Sequence, residues 1–407
     1  MYDLLVIGGG AAGFFGAISA ADHAGRRLRI AILEQSKQVL QKVKISGGGR
    51  CNVTHAEFDP RELSKSYPRG QKELLGPFNK FAPGDTMAWF EDRGVPLKIE
   101  SDNRVFPESD SSQSIMDALI SSTKRHGIEI RTQHKVTNIH ASTEGHFTLQ
   151  FLKDDSLSAK QILIATGSGP RGYAWMEKLG IKLVDRVPSL FSFNVPFPKL
   201  HALQGLSMPA ASVRLKSGEQ TRGPILITHW GLSGPAILRL SAEAAISLHA
   251  CDYKTGFGVS WMDTTLLDCQ ETLGKIRQEA GKKTLRYNGG LELPQRLWLY
   301  LVERAALLPD QKWGSLTKQH LNKLAAAISD DQYPLEGQTR FKDEFVTAGG
   351  VDLSMINFRT FGVVNIPGLY IAGELLNIDG ITGGFNFQAA WTGGHLAGKA
   401  IAAKLEA

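Results

Sequence analysis

The chain opens on "YDLLVI", an apolar run of strand length, stopped by Gly8-Gly9-Gly10 and followed by the small and apolar "AAGFFGAISAA". That order predicts a buried strand, a glycine turn and a helix beginning near Ala11. A second apolar run, "LRIAILE", predicts a strand ending at Glu34. Further on, "IEIRTQHKVTNIHA…HFTLQFLKDDSLSAKQILIATG" is strand-rich and closes on another apolar strand, then Ala165-Thr166-Gly167.

The pattern then changes. The stretch "VPSLFSFNVPFPKLHALQGLSMPAASVRLKSGEQTRGPILITH" alternates apolar and polar positions between Pro and Gly, which predicts short antiparallel strands. In "GLSGPAILRL", Ser233 or Gly234 caps a helix with Pro235 at its first position. Three helical patterns follow, "TLLDCQETLGKIRQEAG", "LPQRLWLYLVERAALL" and "LTKQHLNKLAAAISD". The chain then returns to an apolar strand in "GLYIAGELL", a glycine loop and an amphipathic helix from about Asn386. This reads as an α/β fold in three segments, with 1–185 and 341–407 forming one discontinuous domain around an insert at 186–340. Repeats, low-complexity tracts and heptads are not part of the pattern.

Charge alters this picture only in the middle. Residues 1–185 carry 24 Lys+Arg against 21 Asp+Glu, 186–340 carry 18 against 13, and 341–407 carry 4 against 6. The insert therefore holds most of the basic excess, whether as a solvated face or as a surface for a polyanion. Cys51, Cys251 and Cys269 form no CxxC pair, which fits a reducing cytoplasm and argues against a disulfide framework or a structural zinc site. The N-terminal run has no basic lead and is broken by glycines, so it does not read as a signal peptide, and no apolar run reaches membrane-spanning length.

Gly8, Gly10 and Gly13 give GxGxxG spacing, and Glu34 follows Gly13 by 21 residues. The glycines serve a tight turn, close approach of a pyrophosphate, and close helix–strand packing, while the acid accepts hydrogen bonds from ribose hydroxyls. The N-terminus of the first helix adds free N–H groups and partial positive charge. The late return of the chain to this Rossmann-like site suits a long cofactor, FAD rather than NAD. A second GxGxxG is missing, "GSGPRG" at 167–172 having the wrong spacing, so any NAD(P)H would bind transiently.

A more specific resemblance rests on "IGGGAAG", "SGGGRCNVT", "NRVFP", "IATG", "THWGLSGPA", "TAGGV" and "GLYIAGELLNIDGITGGFNFQAA", in that order along nearly the whole chain. These resemble two-dinucleotide-binding-domain flavoproteins, and within them a bacterial family of aminoacetone oxidases, keto-bile-acid reductases and ribosomal RNA dihydrouridine synthases. The chain departs from the family at Asn103, where glycine is usual, and in a short loop after Gly167.

The resemblance implies an FAD-binding domain carrying a β-barrel-like insert with a small helical lobe. It implies FAD contacts from Gly8, Gly10, Ala12, Gly13, Glu34, Gln35, Lys42, Gly49, Arg50, Cys51, Asn52 and Val136. The remaining contacts are implied at Ala165, Thr166, Gly167, Gly373, Glu374, Asp379, Gly384, Phe385, Asn386 and Phe387. In that reading Gly47 to Gly49 let backbone approach the cofactor, and Arg50 faces phosphate or flavin oxygens. Asn52 fixes the turn, Cys51 packs against the cofactor, and Lys42 and Lys44 either add positive charge or are solvated.

His229 and Arg104 are the candidate catalytic residues, His229 as proton donor or structural histidine, Arg104 as electrophilic group or strand-end arginine. Asp379 has an alternative as a turn residue. Metal-ligand spacing and a nucleophile–His–Asp set are both missing, so metal-dependent and hydrolase chemistry are not expected. The function expected is hydride transfer between FAD and an electron-poor double bond, in ribosomal RNA or in a small molecule. A flavin-binding protein without turnover is the alternative from a different class. Substrate, electron donor and oligomeric state stay open.

Overall fold

The computed structural model describes residues 1–142, 145–152, 155–337 and 346–407. Two compact units emerge, Met1–Arg186 with Thr347–Ala407, and Val187–Val346. The expected return of the chain at 341 lies outside the described residues.

The first unit is built on a parallel sheet of β1 (Tyr2–Ile7), β2 (Ile30–Leu33), β3 (Glu129–Arg131), β4 (Ser156–Ile164) and β5 (Leu369–Ile371), in the order β5-β4-β1-β2-β3. Strands β1, β2 and β5 are buried along their whole length, as the apolar runs require. Register fixes what happens at their ends. Ile7 pairs with both Leu33 and Ile164, and Ile164 with Ile371, so Gly8, Glu34, Ala165 and Ala372 all leave the sheet at one edge. In open α/β sheets ligands bind beyond this carboxyl edge. An antiparallel meander, Val136–Ala141 and Phe147–Phe151, joins β4 from the other side of the connection.

Helix α1 (Ala11–His23) and the terminal helix α2 (Phe385–Glu406) touch backbone to backbone. A Cβ on Gly394 would lie 2.6 Å from the Ala12 carbonyl oxygen, and one on Gly398 would lie 2.4 Å from that of Gly16. Glycine on both helices is what lets the C-terminal helix lie against the N-terminal one. A small sheet of Thr54–His55, Arg104–Pro107 and Leu97–Ile99 completes this unit's site elements. Asn103, at the departure from the family's glycine, takes φ +65, a left-handed conformation that asparagine tolerates.

The second unit is an antiparallel sheet with strands ordered Phe193–Asn194, Gly231–Ser233, Gln220–Ile227, Ser207–Leu215, Lys254–Ser260 and Asp331–Glu336. Its edges nearly close into a barrel, because Asn194 donates from its backbone to Gly337 at 3.2 Å and from its side chain to Glu336 at 3.0 Å. The helices Leu266–Glu279, Gln295–Arg304 and Lys318–Ser329 follow the predicted patterns, with Thr265 and Thr317 as side-chain caps. Gly234 caps the helix Pro235–Glu243, resolving the choice with Ser233. No described helix is long and apolar enough to cross a membrane.

Candidate nucleotide-binding site

In the glycine turn after β1, Gly8 and Gly13 make the tight turn and the close helix packing that the spacing predicts. Gly8 takes φ +115 with its Cβ direction 2.3 Å from the Ala165 carbonyl, so the β1 turn lies directly on the end of β4. A Cβ on Gly13 would stand 2.0 Å from the Gly8 carbonyl, which binds α1 tightly to the turn. Gly10 is different. It caps α1 without a side-chain bond, and a Cβ there would meet no protein atom within 4 Å. The helix N-terminus therefore faces open space, a cradle of the kind that holds a pyrophosphate.

Beside this turn lies a cleft of about 260 Å³, lined by Ile7, Gly8, Leu33, Glu34, Gln35, His134, Val136, Thr166, Gly169, Pro170, Arg171, Gly172 and Trp175. Such a volume accommodates a nucleoside rather than a whole dinucleotide. Glu34 stands at its wall and accepts hydrogen bonds from the Gly9 N–H (2.9 Å), the Ser36 N–H (2.8 Å) and the Ser36 hydroxyl (2.8 Å). These bonds orient the carboxylate and leave one acceptor site, on Oε2, for a ribose hydroxyl. Gln35 is held across the mouth by Arg171 at 2.7 Å. The donors, the open cap and the cleft together fit the adenosine diphosphate part of FAD.

His134, Arg171 and Trp175 escaped the sequence reading. Two of them follow the "ATG" strand in the shortened loop and its helix, Pro170–Lys178, which serves as a wall of this cleft. Trp175 is fixed by its indole N–H donating to Thr137 O at 3.2 Å. Only the Gly-Pro start of that helix was a local signal for them.

Several residues expected at the flavin end lie near the start of α2. Gly373, at φ +77, lies against Ala12, and a Cβ on Gly167 would come within 3.6 Å of the Glu374 carboxylate. Gly384, at φ +92, caps α2 so close to the strand after the GGGRCN loop that a Cβ would meet the Thr54 carbonyl at 2.5 Å. Asn52, oriented to satisfy its neighbours, accepts from the Gly384 N–H at 3.0 Å and donates to Thr54 O (3.0 Å) and Val105 O (3.3 Å). Thr54 donates to Gln388 at 2.6 Å and the Trp391 indole to Val53 O at 2.9 Å. The loop thus sets where α2 begins.

Several expected cofactor contacts have other partners. The Arg50 guanidinium pairs with Glu100 at 2.6 Å and Asp110 at 3.4 Å and lies 3.9 Å from the Phe106 ring centroid, so it faces protein carboxylates rather than an open phosphate position. Lys42 pairs with Glu374, and buried Asp379 pairs with Arg69. Asn386 is closed on Gly380, accepting from its N–H and donating to its carbonyl, both at 2.9 Å. Phe387 stacks along α2 on Trp391 at 5.6 Å, and buried Phe385 stacks on His55 at 4.5 Å. Arg50, Lys42, Asp379 and Phe385 meet groups brought near them by distant segments, whereas Asn386 and Phe387 are satisfied within the loop and helix they belong to.

Gly47, Gly48 and Gly49 have φ of +56, +69 and +87, so a run of left-handed backbone demands glycine whatever lies against it. Gly48 and Gly49 face open space, whereas a Cβ on Gly47 would press on Phe106 at 2.9 Å. Cys51 is fully buried, and burial pushes its thiol up to about 12. It is therefore a neutral packing group rather than a thiolate.

Arg104, a candidate catalytic residue, donates to Asp102 (2.7 Å) and Glu100 (3.2 Å). It sits opposite His55 in the small sheet. His55 was not singled out by sequence. Its Nδ1 lies 3.1 Å from the Gly383 carbonyl, and burial lowers its pKa despite that bond. No local signal marked it, because its partner Gly383 lies 328 residues away in the sequence. His229 lies in the second unit, exposed at the tight turn that ends with Gly231, its ring edge-on to Trp230 at 4.3 Å. Among the described residues, no three His, Cys, Asp or Glu could hold a metal ion.

The family described as HI0933-like protein Rossmann domain matches residues 2–400. A ribosomal RNA dihydrouridine synthase of Escherichia coli (strain K12) is 28% identical over 402 residues, covering 96% of each chain. A 3-dehydro-bile acid delta(4,6)-reductase of Clostridium scindens is 27% identical over 424 residues, 98% of each chain. Among solved structures, a 3-ketosteroid-delta4-(5alpha)-dehydrogenase from Rhodococcus jostii RHA1, in complex with 4-androstene-3,17-dione, gives a TM-score of 0.53 at 14% identity. That match covers 98% of this chain and 96% of the other, and is a likeness of fold.

Proposed function

The chain belongs to the HI0933-like family and is an FAD-dependent oxidoreductase; from that premise we propose that it reduces the ring C=C bond of uracil in ribosomal RNA. The observation that carries the substrate is the end-to-end similarity to a ribosomal RNA dihydrouridine synthase, supported by the basic excess of residues 186–340. When bound and reduced, the flavin would supply the hydride, and NAD(P)H is the reductant we assign to it.

The protein's own residues have separable tasks in this reading. The N–H groups at the start of α1 hold the pyrophosphate, with Gly10 keeping the approach open. Glu34 holds the adenosine ribose, and the walls around Val136, Thr166 and Trp175 exclude water from the adenine. Asn52 and Gly384 hold the start of α2 at the flavin end, where the partial positive charge of the helix favours negative charge. One carbon of the uracil double bond takes the hydride and its neighbour takes a proton, for which His55, Arg104 and His229 are the side chains to test. A ribosomal RNA substrate places the protein in the cytoplasm.

The second reading is reduction of an enone in a small molecule, favoured by the comparable similarity to the bile acid reductase. Deleting the gene and mapping dihydrouridine in ribosomal RNA, with complementation by the purified protein, separates the two. Loss and restoration of one dihydrouridine is the expected result. An unchanged RNA would exclude uracil as the acceptor.

A further inference from the structure

The basic excess of the middle segment has a location. Residues 281–323 hold eight Lys+Arg against three Asp+Glu, which matches the whole surplus of 186–340. Within this region, 281–285 and 311–314 run side by side. Leu285 N–H donates to Gln311 O at 2.9 Å, Trp313 N–H to Lys283 O at 3.0 Å, and Gly314 N–H to Gly281 O at 3.0 Å, with Thr284 opposite Lys312.

Two buried tryptophans hold this ribbon from beneath. Trp313 Nε1 donates to Tyr287 O at 2.9 Å, Trp298 Nε1 donates to Leu285 O, and the two rings stack at 5.8 Å. Gln295 adds a bond to Arg286 O at 2.8 Å. The backbone is therefore fixed by the core, while Lys282, Lys283 and Lys312 are exposed and Tyr287 is 40% exposed.

Charge pairing narrows the set further. Arg286 is held by both oxygens of Asp310, at 2.7 and 3.1 Å, so it adds little net charge. Among the described residues, Lys282, Lys283 and Lys312 have no ion-pair partner, and Lys283 Nζ sits 3.8 Å from the Tyr287 ring centroid. Uncompensated cations around a rigidly presented aromatic ring are what an unpaired nucleic acid strand requires: phosphate neutralisation plus a stacking platform. An acidic peptide would use the lysines but leave Tyr287 without a partner.

We infer that this ribbon is a docking surface for an unpaired stretch of ribosomal RNA, with Lys282, Lys283 and Lys312 on phosphates and Tyr287 stacked on a base. It rests on the RNA reading above and goes beyond it by naming the surface. The double-stranded alternative is disfavoured, because a base in a duplex is not available to stack on a side chain.

The test is binding of a transcribed ribosomal RNA fragment to the full-length holoprotein across salt concentrations, by fluorescence anisotropy. The variants are Lys282→Ala/Lys283→Ala/Lys312→Ala, Tyr287→Ala, and a charge-matched control, Lys72→Ala/Lys80→Ala/Lys124→Ala, on the first unit. Circular dichroism and FAD content check that each is folded. Losing three phosphate contacts should reduce the salt slope by about two, and Tyr287→Ala should weaken binding about tenfold. A ribbon triple that behaves like the control overturns the proposal. So does wild-type binding to phosphatidylglycerol vesicles but not to RNA. Dihydrouridine formed in the same RNA is read alongside. Turnover by the wild type with an unaffected ribbon triple sinks the surface and keeps the reading. Ribbon-dependent RNA binding without dihydrouridine keeps the surface and sinks the reading.

Discussion

Gly10→Val separates the cofactor from the fold. Gly10 has φ −98 and ψ −169, extended backbone that valine adopts readily, and its Cβ direction is empty of protein. The apoprotein should lose only the preference for glycine at the cap, about 1 kcal/mol. Gly13→Val is the contrasting case, since its Cβ would begin 2.0 Å from the Gly8 carbonyl. Both groups there belong to the backbone, so relief requires α1 to move, at about 1–3 kcal/mol or more. FAD should reverse this ranking. The side chain introduced by Gly10→Val would stand where the helix N–H groups meet the pyrophosphate, and charge-assisted bonds there are worth about 1.5–3 kcal/mol each. Losing two amounts to about 3–6 kcal/mol, roughly a hundredfold to ten-thousandfold in Kd. Flavin fluorescence quenching on titrating apoprotein gives Kd, and urea unfolding of the same apoprotein gives stability. FAD should be identified by chromatography after denaturation, with no FMN. A Gly10→Val protein that binds FAD within tenfold of wild type would refute the placement of the pyrophosphate. So would an apoprotein destabilised as severely as Gly13→Val.

The start of α2 offers a test of charge at the flavin end. Asn386→Asp should make bound FAD harder to reduce by an interaction of about 1 kcal/mol. Because Asn386 also donates to Gly380 O, Asn386→Ala is needed beside it; equal midpoint potentials in the two variants would move the helix end away from the flavin. His395, stacked on Phe81 at 4.3 Å, has its pKa lowered to about 4, first by burial and then by nearby His23 and Lys399. A depressed folded value means that the neutral ring stabilises the fold above the unfolded pKa near 6.5, and that this is lost as pH falls towards 4. The loss is about 3 kcal/mol. Urea midpoints should fall across that window in the wild type and much less in His395→Gln; parallel curves would contradict the assignment. Iodoacetamide at neutral pH should label exposed Cys251 and spare Cys51 and Cys269, whose thiols burial raises to about 12 and about 11. Peptide mapping that finds Cys51 alkylated in the native protein would show that its neighbourhood opens.

The elements carried by local pattern were legible in the sequence. The Gly8-Gly10-Gly13 turn, the start of α1 and the Gly234-Pro235 helix start depend on residues within a turn of one another. Their signals are backbone propensity and capping, which act at short range. The tight turn at Gly8 and the close packing at Gly13 were legible for the same reason, as was Glu34 at the end of a buried strand.

Partners across the chain were not legible. Asn52 meets Gly384, Arg69 meets Asp379, and Lys42 meets Glu374 only because the closely apposed α1 and α2 and the common sheet edge bring these segments together. The sequence named Asn52, Gly384, Lys42, Glu374 and Asp379 as cofactor contacts rather than as partners of one another or of Arg69, since a charged or amide group in a glycine loop has no local partner. The fold supplied a partner more than three hundred residues away. Likewise, Lys282, Lys283 and Arg286 are near neighbours of like charge in the sequence. Asp310 then neutralised the arginine, while Lys312 joined the other two through a backbone pairing that no local pattern encodes. Sequence determined which elements form and where glycine is compulsory, because those energies are local. Tertiary structure decided which charges stay free and which backbone groups stay open, because desolvation and pairing depend on what the rest of the chain places against them.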